Sequence, residues 1–208
     1  MSRPVEASPD PWDEAVRHLR KADPYLKDLI ERVGPCRLAP REDRLGSLVG
    51  SIVSQQISTK AAASISGRLH ELAGRPYDPG RLIELGEDAL RGCGLSRSKA
   101  LYVLNVAAAV ADGSAPVDRF DDWDDEAIIG SLTAIKGVGV WTAQMFLIFA
   151  MNRPDVWPVG DLGVRAALGR KLGMDGPPSP GECASLGDAW RPFRSVASWY
   201  LWRSLEFR

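Results

Sequence analysis

The sequence is poor in the side chains that hold metal ions and clusters. Its 208 residues include three cysteines and two histidines. The cysteines, Cys36, Cys93 and Cys183, are far apart, and none belongs to a Cys-x-x-Cys pair. This spacing excludes an iron–sulfur cluster held by four cysteines of one chain and leaves no zinc-binding motif. A sparse, odd set of cysteines also favours a reducing compartment over a disulfide framework.

Long apolar runs and an excess of charge of one sign are also missing. The longest strongly apolar stretch, Val140 to Met151, is too short to span a bilayer and contains Thr142 and Gln144. The N-terminal residues include Pro, Asp and Glu and no apolar core, so we expect no secretory signal there. Lys and Arg number 26 against 27 Asp and Glu, which excludes a coat of positive charge but not a local basic face.

Helix signals, by contrast, are abundant. Asp23-Pro24 is a cap followed by proline at the first helical position, and apolar residues from Leu45 to Ile57 recur at helical spacing. Further caps are expected at Ser58, Ser96, Asp124 and Ser179. No alternating strand pattern of convincing length and no internal repeat occurs. We therefore predict an all-α protein with about ten short helices.

The most informative segment, Leu132–Ala143, places Lys136-Gly137-Val138-Gly139 between two predicted helices. Glycines at alternate positions permit positive φ and the close approach of another backbone. The backbone N–H groups at the start of the second helix form an anion site suited to a phosphate. This layout is typical of a helix–hairpin–helix, which holds DNA backbone without reading its sequence. A tight turn without a ligand is the alternative, and the glycines alone do not decide between the two.

Four more segments occur in an informative order. They are Ser51–Ser58 followed by Lys60, Gly94–Ala100, Trp157-Pro-Val-Gly-Asp161, and Trp190–Ser195 with Trp199–Trp202. With the hairpin, they resemble the helix–hairpin–helix (HhH-GPD) DNA glycosylase superfamily over roughly residues 40–206. That superfamily is named for its hairpin followed by a Gly/Pro-rich loop and a catalytic Asp. The resemblance is closest to the alkylpurine branch, the 3-methyladenine DNA glycosylase II family.

The resemblance implies a two-lobed helical fold with the active site in the cleft between the lobes. One lobe would be residues 45–150, with the hairpin at about 132–143, and the other residues 1–44 plus 155–208. The implied enzyme flips an alkylated purine of the 3-methyladenine or 7-methylguanine type out of duplex DNA and hydrolyses its N-glycosidic bond in base excision repair. A glycosylase for another damaged base and a non-catalytic DNA-binding module are the alternatives.

The family's catalytic aspartate corresponds to Asp161. A fixed carboxylate stabilises the positive charge that develops on the sugar as the bond breaks. Asp161 is equally suited to cap the helix that follows, and one carboxylate can serve both as the cap and as the catalytic group. Trp141 stands where bifunctional members carry a nucleophilic lysine. An indole cannot form a Schiff base, so we expect no lyase activity.

Electron-rich rings are suited to bind an electron-poor, often cationic, alkylated purine. The resemblance assigns Trp141 and Phe193 to the base pocket, with Trp157 and Trp12 as weaker candidates, because each tryptophan can instead be a core residue. Met145 belongs to the same set but stands where some relatives have Tyr, so one possible π-face is missing.

DNA contacts are expected from the family's other motifs. Gln55 and Gln56 match the wedge segment that fills the gap left by the flipped base, although polar residues at a helix end are also ordinary surface. Backbone contacts are expected from Lys136, Gly137, Gly139, Lys60, Ser96, Arg97 and Lys99. The main-chain carbonyls of Thr133, Ile135 and Val138 match the family's site for a Na⁺ or K⁺ ion. No required cofactor and no iron–sulfur cluster is expected.

The expected partner is double-stranded DNA with alkylated bases. We expect the protein to act as a monomer and not to bind a membrane. The compartment would be the cytoplasm, at the nucleoid, in a bacterium, and the nucleus in a eukaryote. Basic residues near the site segments predict a small local footprint; they are Lys136, Arg165, Arg170, Lys171, Arg191 and Arg194. Acidic residues concentrate at 118–126. His18 and His70 lie on predicted helices, and we assign them no role.

Overall fold

The computed structural model of the chain describes residues 11–207. Every regular element in that part is a helix and no strand occurs in it, which confirms the all-α prediction. The α-helices are α1 (Asp13–Ala22), α2 (Pro24–Val33), α3 (Arg44–Ser54), α4 (Thr59–Ala73), α5 (Pro79–Gly92), α6 (Arg97–Ala111), α7 (Asp125–Thr133), α8 (Val140–Phe149), α9 (Leu162–Leu172), α10 (Pro180–Cys183) and α11 (Arg194–Ser204). Short 3-10 helices lie at Val117–Asp122 and Asp188–Trp190. Of the described helices, none is long and apolar enough to cross a membrane.

Side-chain caps fix the starts of several helices where the sequence predicts them. Asp23 accepts hydrogen bonds from backbone N–H groups of the first turn of α2, and Ser58 and Ser96 do the same for α4 and α6. Ser179 and Glu182 form the predicted capping box of α10. Each cap satisfies a backbone donor that the helix itself leaves without a partner.

The chain divides into two compact units. The first, called the hairpin unit below, is Ala39–Arg153. In it α3 packs on α6 and α8, and α5 packs along α6. Its core includes Leu48, Ile52, Val103 and Phe146, all fully buried, so the hairpin between α7 and α8 is anchored on a packed apolar centre.

The second, called the terminal unit, combines Met1–Leu38 with Pro154–Arg208. Helix α11 packs on α9 and α2, and α1 packs on α2. The carboxylate of Asp23 joins segments distant in sequence, because it forms an ion pair with Lys171 and accepts the indole N–H of Trp190 at 3.0 Å. The terminal unit positions Asp161 at the start of α9.

Candidate active site and DNA interface

The turn between α7 and α8 uses its two glycines differently. Gly137 has φ +105°, and a Cβ added there would lie 2.1 Å from Cγ of Tyr102, so only glycine fits. Gly139 has φ −96° and is the residue before α8, with no atom within 4 Å of the position of an added Cβ. No side chain caps the first turn of α8. Its backbone N–H groups therefore start a helix with an open approach, as phosphate binding requires.

The carbonyl groups of the same turn offer neutral oxygen ligands. Thr133 ends α7, and the Ile135 carbonyl accepts a hydrogen bond from the Val138 N–H at 3.0 Å. The Lys136 carbonyl accepts a hydrogen bond from Asn105 Nδ2 at 3.0 Å, and the Lys136 residue is exposed at the surface. Carbonyls at the negative end of a helix dipole suit a monovalent cation. In residues 11–207 no group of three or more His, Cys, Asp and Glu side chains is arranged to hold a metal ion.

The segment Gln55–Ser58 between α3 and α4, called the wedge loop below, is fixed at its base. Gln55 Nε2 lies 3.2 Å from Oγ1 of Thr142 and 3.4 Å from the Gly137 carbonyl, so Gln55 contacts the hairpin. Lys99 Nζ donates to the Gln55 carbonyl at 2.6 Å, and burial lowers the pKa of Lys99. Gln56 is exposed and has φ +56°.

A groove of about 1000 Å³ opens on the hairpin unit beside α3, α4 and α8. Trp141 and Met145 line it, Trp141 half-buried and Met145 buried. Ser47 lines it too; its side chain is 2% exposed, and among the described residues its Oγ has no hydrogen-bond partner. The groove is thus lined by aromatic rings and hydroxyl side chains, a surface that suits a planar ligand with polar edges.

The carboxylate of Asp161 is held by two donors. Its Oδ1 accepts the backbone N–H of Val164 at 2.8 Å and the indole N–H of Trp202 at 2.8 Å. The expected cap is therefore present. A Cβ at Gly163 would lie 3.0 Å from Cδ1 of Trp202, so this glycine makes room for the indole. Asp161 is only 8% exposed, and a buried carboxylate with fixed donors is suited to electrostatic stabilisation of a cation.

Phe193 precedes α11 and is half-buried. Its ring centroid lies 5.6 Å from that of His18, in an edge-to-face arrangement. Because Phe193 is only half-buried, part of its surface stays available for stacking.

Residues 49–192 match the family model described as HhH-GPD superfamily base excision DNA repair protein. The chain belongs to this superfamily.

Named relatives of this HhH-GPD chain match it over nearly its full length. DNA-3-methyladenine glycosylase 1 of Schizosaccharomyces pombe is 31% identical over 193 residues, which cover 90% of this chain and 85% of the relative. The solved structure of the 3-methyladenine DNA glycosylase of Schizosaccharomyces pombe in complex with abasic DNA gives a TM-score of 0.87 at 30% identity, covering 93% of this chain and 97% of that one. A DNA-3-methyladenine glycosidase from Bacillus halodurans gives 0.77 at 34% identity, covering 100% and 94%. The family resemblance is therefore confirmed.

Two of the aromatic candidates are core residues in this HhH-GPD chain. Trp157 is buried, donates its indole N–H to the Cys183 carbonyl at 3.0 Å and packs edge-on against Trp190. Trp12 is buried and donates to the Leu38 carbonyl at 2.7 Å. Their rings are already used in packing, so neither is suited to stack on a base, and we withdraw both from the pocket.

The residues expected to contact the DNA backbone differ in whether their side chains are exposed or engaged within the protein. Lys60 and Lys136 are exposed, and Arg97 is exposed beside Glu87, with 3.3 Å between its Nε and the carboxylate. Ser96 caps α6, and the Lys99 ammonium is engaged with main-chain carbonyls rather than directed to solvent.

Sequence reasoning missed two neighbours of the candidate site residues. Trp202 belongs to a segment that the resemblance includes, but nothing in its position signals a hydrogen bond to Asp161. Gly163 is the available hint, since a glycine in the first turn of a helix signals close packing there. His18 was given no role, yet it packs against Phe193. The two lie in different terminal segments, so no spacing rule brings them together.

Proposed function

We propose that this HhH-GPD protein is a monofunctional DNA glycosylase that hydrolyses the N-glycosidic bond of alkylated purines of the 3-methyladenine and 7-methylguanine type. The observation that carries the proposal is the Asp161 carboxylate, nearly buried at a helix start and oriented by the Trp202 indole. The names and coverage of the relatives support the substrate class. Its partner is duplex DNA, so its place of work is the nucleoid or the nucleus.

In the proposed reaction, the bond between the anomeric carbon of the deoxyribose and the purine nitrogen breaks, and its electron pair goes to the base. Positive charge develops on the sugar, where the negative carboxylate of Asp161 stabilises it. Water adds to the anomeric carbon and loses its proton to Asp161 or to solvent. Alkylation has already made the base a good leaving group, so no strong general acid is needed. The products are a free base and an abasic site.

Two rings are proposed for stacking on a base: Trp141 of the hairpin unit, with Met145 as an apolar contact, and Phe193 of the terminal unit. The rings supply electron-rich faces for a cationic purine. Because residue 141 is a tryptophan, the protein lacks an amine at the position of the lyase nucleophile. We therefore expect an abasic product without strand cleavage.

Backbone binding is proposed to centre on the hairpin. The N–H groups of the Gly137–Gly139 turn would contact a phosphate, supported by the exposed side chains of Lys136, Lys60 and Arg97 and by the Ser96 cap. The carbonyls of Thr133, Ile135 and Val138 would hold Na⁺ or K⁺, whose positive charge would favour the binding of a phosphate at this turn. Exchange of the chloride salts of these ions for choline chloride at constant ionic strength is then expected to weaken DNA binding.

The decisive experiment is Asp161→Asn. Asparagine is an equally good helix cap, so the variant should fold normally. Loss of the negative charge should lower single-turnover release of 3-methyladenine or 7-methylguanine by at least about 100-fold. Binding to undamaged duplex should stay nearly unchanged.

Gel analysis of the product strands before and after alkali treatment tests the monofunctional assignment, because an abasic site breaks only with alkali. Undiminished base release by Asp161→Asn would overturn the mechanism. No release by the wild type from alkylated DNA, with release from another lesion in a panel, would replace the substrate class. Binding without release of any base would identify a non-catalytic DNA-binding module.

A further inference from the structure

We propose that Lys99 and Gln55 are positioning residues that lock the wedge loop to the hairpin, so that phosphate docking and gap filling are performed by one rigid element. The inference rests on the proposed function, since it assigns how the DNA-contacting parts of that site are held. It gives Lys99 and Gln55 a role different from direct DNA contact and leaves Gln56 as the gap-filling side chain.

Lys99 acts as a clamp on the end of α3. Its Nζ donates to the carbonyl of Val53 at 2.7 Å and to that of Gln55 at 2.6 Å. The last carbonyls of a helix have no partner within the helix, and a cation there also interacts favourably with the helix dipole. Lys99 is half-buried in the first turn of α6, so the bonds join two helices distant in sequence. An ammonium engaged in this way is poorly placed to reach a phosphate.

Gln55 connects the same loop to the hairpin. Its side-chain amide contacts Thr142 in the first turn of α8 and the carbonyl of Gly137. Thr142 is buried, so the contact lies inside the hairpin unit rather than on its rim. An amide bound at this point cannot at the same time enter the DNA duplex.

Gln56 is the residue that the fixed wedge loop exposes to solvent, where DNA can reach it. It is exposed, and its φ of +56° is unusual for a residue other than glycine. Such a conformation persists where the surroundings determine it, and here the carbonyl bound by Lys99 and the amide bound to the hairpin belong to the preceding residue. Ile57 follows at the tip, 37% exposed. The lock therefore turns Gln56 and Ile57 outward from a fixed base.

The test compares binding to duplex DNA with a tetrahydrofuran abasic analogue and binding to the same duplex without it. Only the first has a gap to fill, so the ratio of the two affinities reports wedge function without any catalysis. Lys99→Met keeps the apolar stem and removes the ammonium. We expect this ratio to fall about tenfold, while affinity for intact duplex and the salt dependence of that affinity change little. Arg97→Gln, in the same helix turn, should instead weaken binding to both duplexes equally and reduce the salt slope by about 1.

A double-mutant cycle tests the lock as a unit. Gln55→Ala should lower the ratio as Lys99→Met does, and the double variant should lose little more than either single variant, because both changes release the same loop. Lys99→Arg retains a donor at the carbonyls and should restore part of the ratio. Thermal unfolding of each variant identifies any that fails to fold. If Lys99→Met fails to fold, Lys99→Arg is compared with the wild type in its place.

Two results would overturn the lock. One is a Lys99→Met variant that loses affinity for both duplexes equally with a smaller salt slope, which is the behaviour of a phosphate contact. The other is full additivity of Lys99→Met and Gln55→Ala. Since these measurements use binding alone, they remain decisive even if the protein releases no alkylated base, an outcome that would contradict only the proposed function.

Discussion

At the scale of single residues, the carboxylate of Asp161 has a structural task and a proposed chemical one. The helix cap and the Trp202 indole both engage Oδ1, so the group is oriented before any DNA binds. The helix cap formed by Asp161 was predictable from the sequence by a local rule, and its catalytic role stays a prediction from the motif. Trp202 was not, because its contact to Asp161 spans 41 residues and depends on how α11 packs on α9.

Trp202→Phe tests this orientation. The variant keeps an aromatic side chain, but the hydrogen bond from the indole N–H to the carboxylate is lost, which costs about 1.5 to 3 kcal/mol for a charged acceptor. We expect the single-turnover rate of base release at saturating protein to fall about 10-fold or more, with the affinity for intact duplex unchanged.

Trp199→Phe is the matched control, since it shortens a buried tryptophan of the same helix that packs on Tyr200. Its rate should stay near that of the wild type at comparable thermal stability. Equal losses in the two variants would mean that α11 packing, not the indole hydrogen bond, sets the rate.

At the scale of elements, the hairpin shows what a local pattern predicts and what it leaves open. The two glycines read alike in sequence, and the helix–hairpin–helix layout was predicted from them. The structure separates them, because Tyr102 of α6 closes the space next to Gly137 while the approach to Gly139 stays open. This neighbour is fixed by tertiary packing, so no pattern within the hairpin reveals it.

Alanine at Gly137 should therefore mainly reduce stability, whereas alanine at Gly139 should mainly reduce DNA affinity. Gly137→Ala combines a positive φ with a clash against Tyr102, and we expect a loss of stability of about 3 kcal/mol or more. Gly139→Ala should change stability by less than about 1 kcal/mol, since its φ is ordinary and its surroundings are open. Its methyl group should nevertheless lower DNA affinity several-fold, because it lies where a phosphate must approach.

Urea unfolding and duplex-binding titrations separate the two effects. Tyr102→Ala combined with Gly137→Ala should regain part of the lost stability, since the clash is relieved and only the backbone strain remains. A Gly139→Ala variant that binds DNA as well as the wild type would show that this face of the turn does not meet the phosphate.

At the scale of the whole molecule, several of the cations near the predicted site segments are paired with acidic side chains of the protein itself. Arg194 forms two short contacts with the carboxylate of Asp155, Arg191 contacts the same group, and Lys171 pairs with Asp23. The predicted basic footprint is thus smaller than the sequence suggested, because linear clustering does not reveal which cations have acidic neighbours in the fold. The net charge of −1 is consistent with a limited electrostatic contribution to binding.

A shallow salt dependence follows from that distribution. Arg97 stays available for DNA because its side chain is 76% exposed even beside Glu87. If Lys60, Arg97 and Lys136 neutralise phosphates, a plot of log affinity against log salt for intact duplex should have a slope of about −3. Lys136→Gln should bring it to about −2. Arg194→Gln, by contrast, should leave the slope unchanged and destabilise the terminal unit. A slope far steeper than this for the wild type would reveal phosphate contacts beyond the hairpin unit's exposed cations.

The terminal unit depends on contacts between the two ends of the chain, and Asp23 offers a test of them. Burial raises the pKa of Asp23, but the hydrogen bond and charge of Lys171, together with Trp190 and the Tyr25 N–H, outweigh it and leave the pKa below its ordinary value of 3.8. Because the folded pKa is lowered, the carboxylate's contribution to stability is complete above the unfolded pKa and is lost as the pH falls through the folded one.

Asp23→Asn should therefore lower the free energy of unfolding by about 3 kcal/mol near neutral pH, and by progressively less as acid protonates the wild-type carboxylate. Urea unfolding across this pH range measures the difference, with the exposed Asp28→Asn in the same helix as the control. A deficit that stays constant down to pH values below the folded pKa would show that the cap geometry, not the ion pair, ties the two ends together.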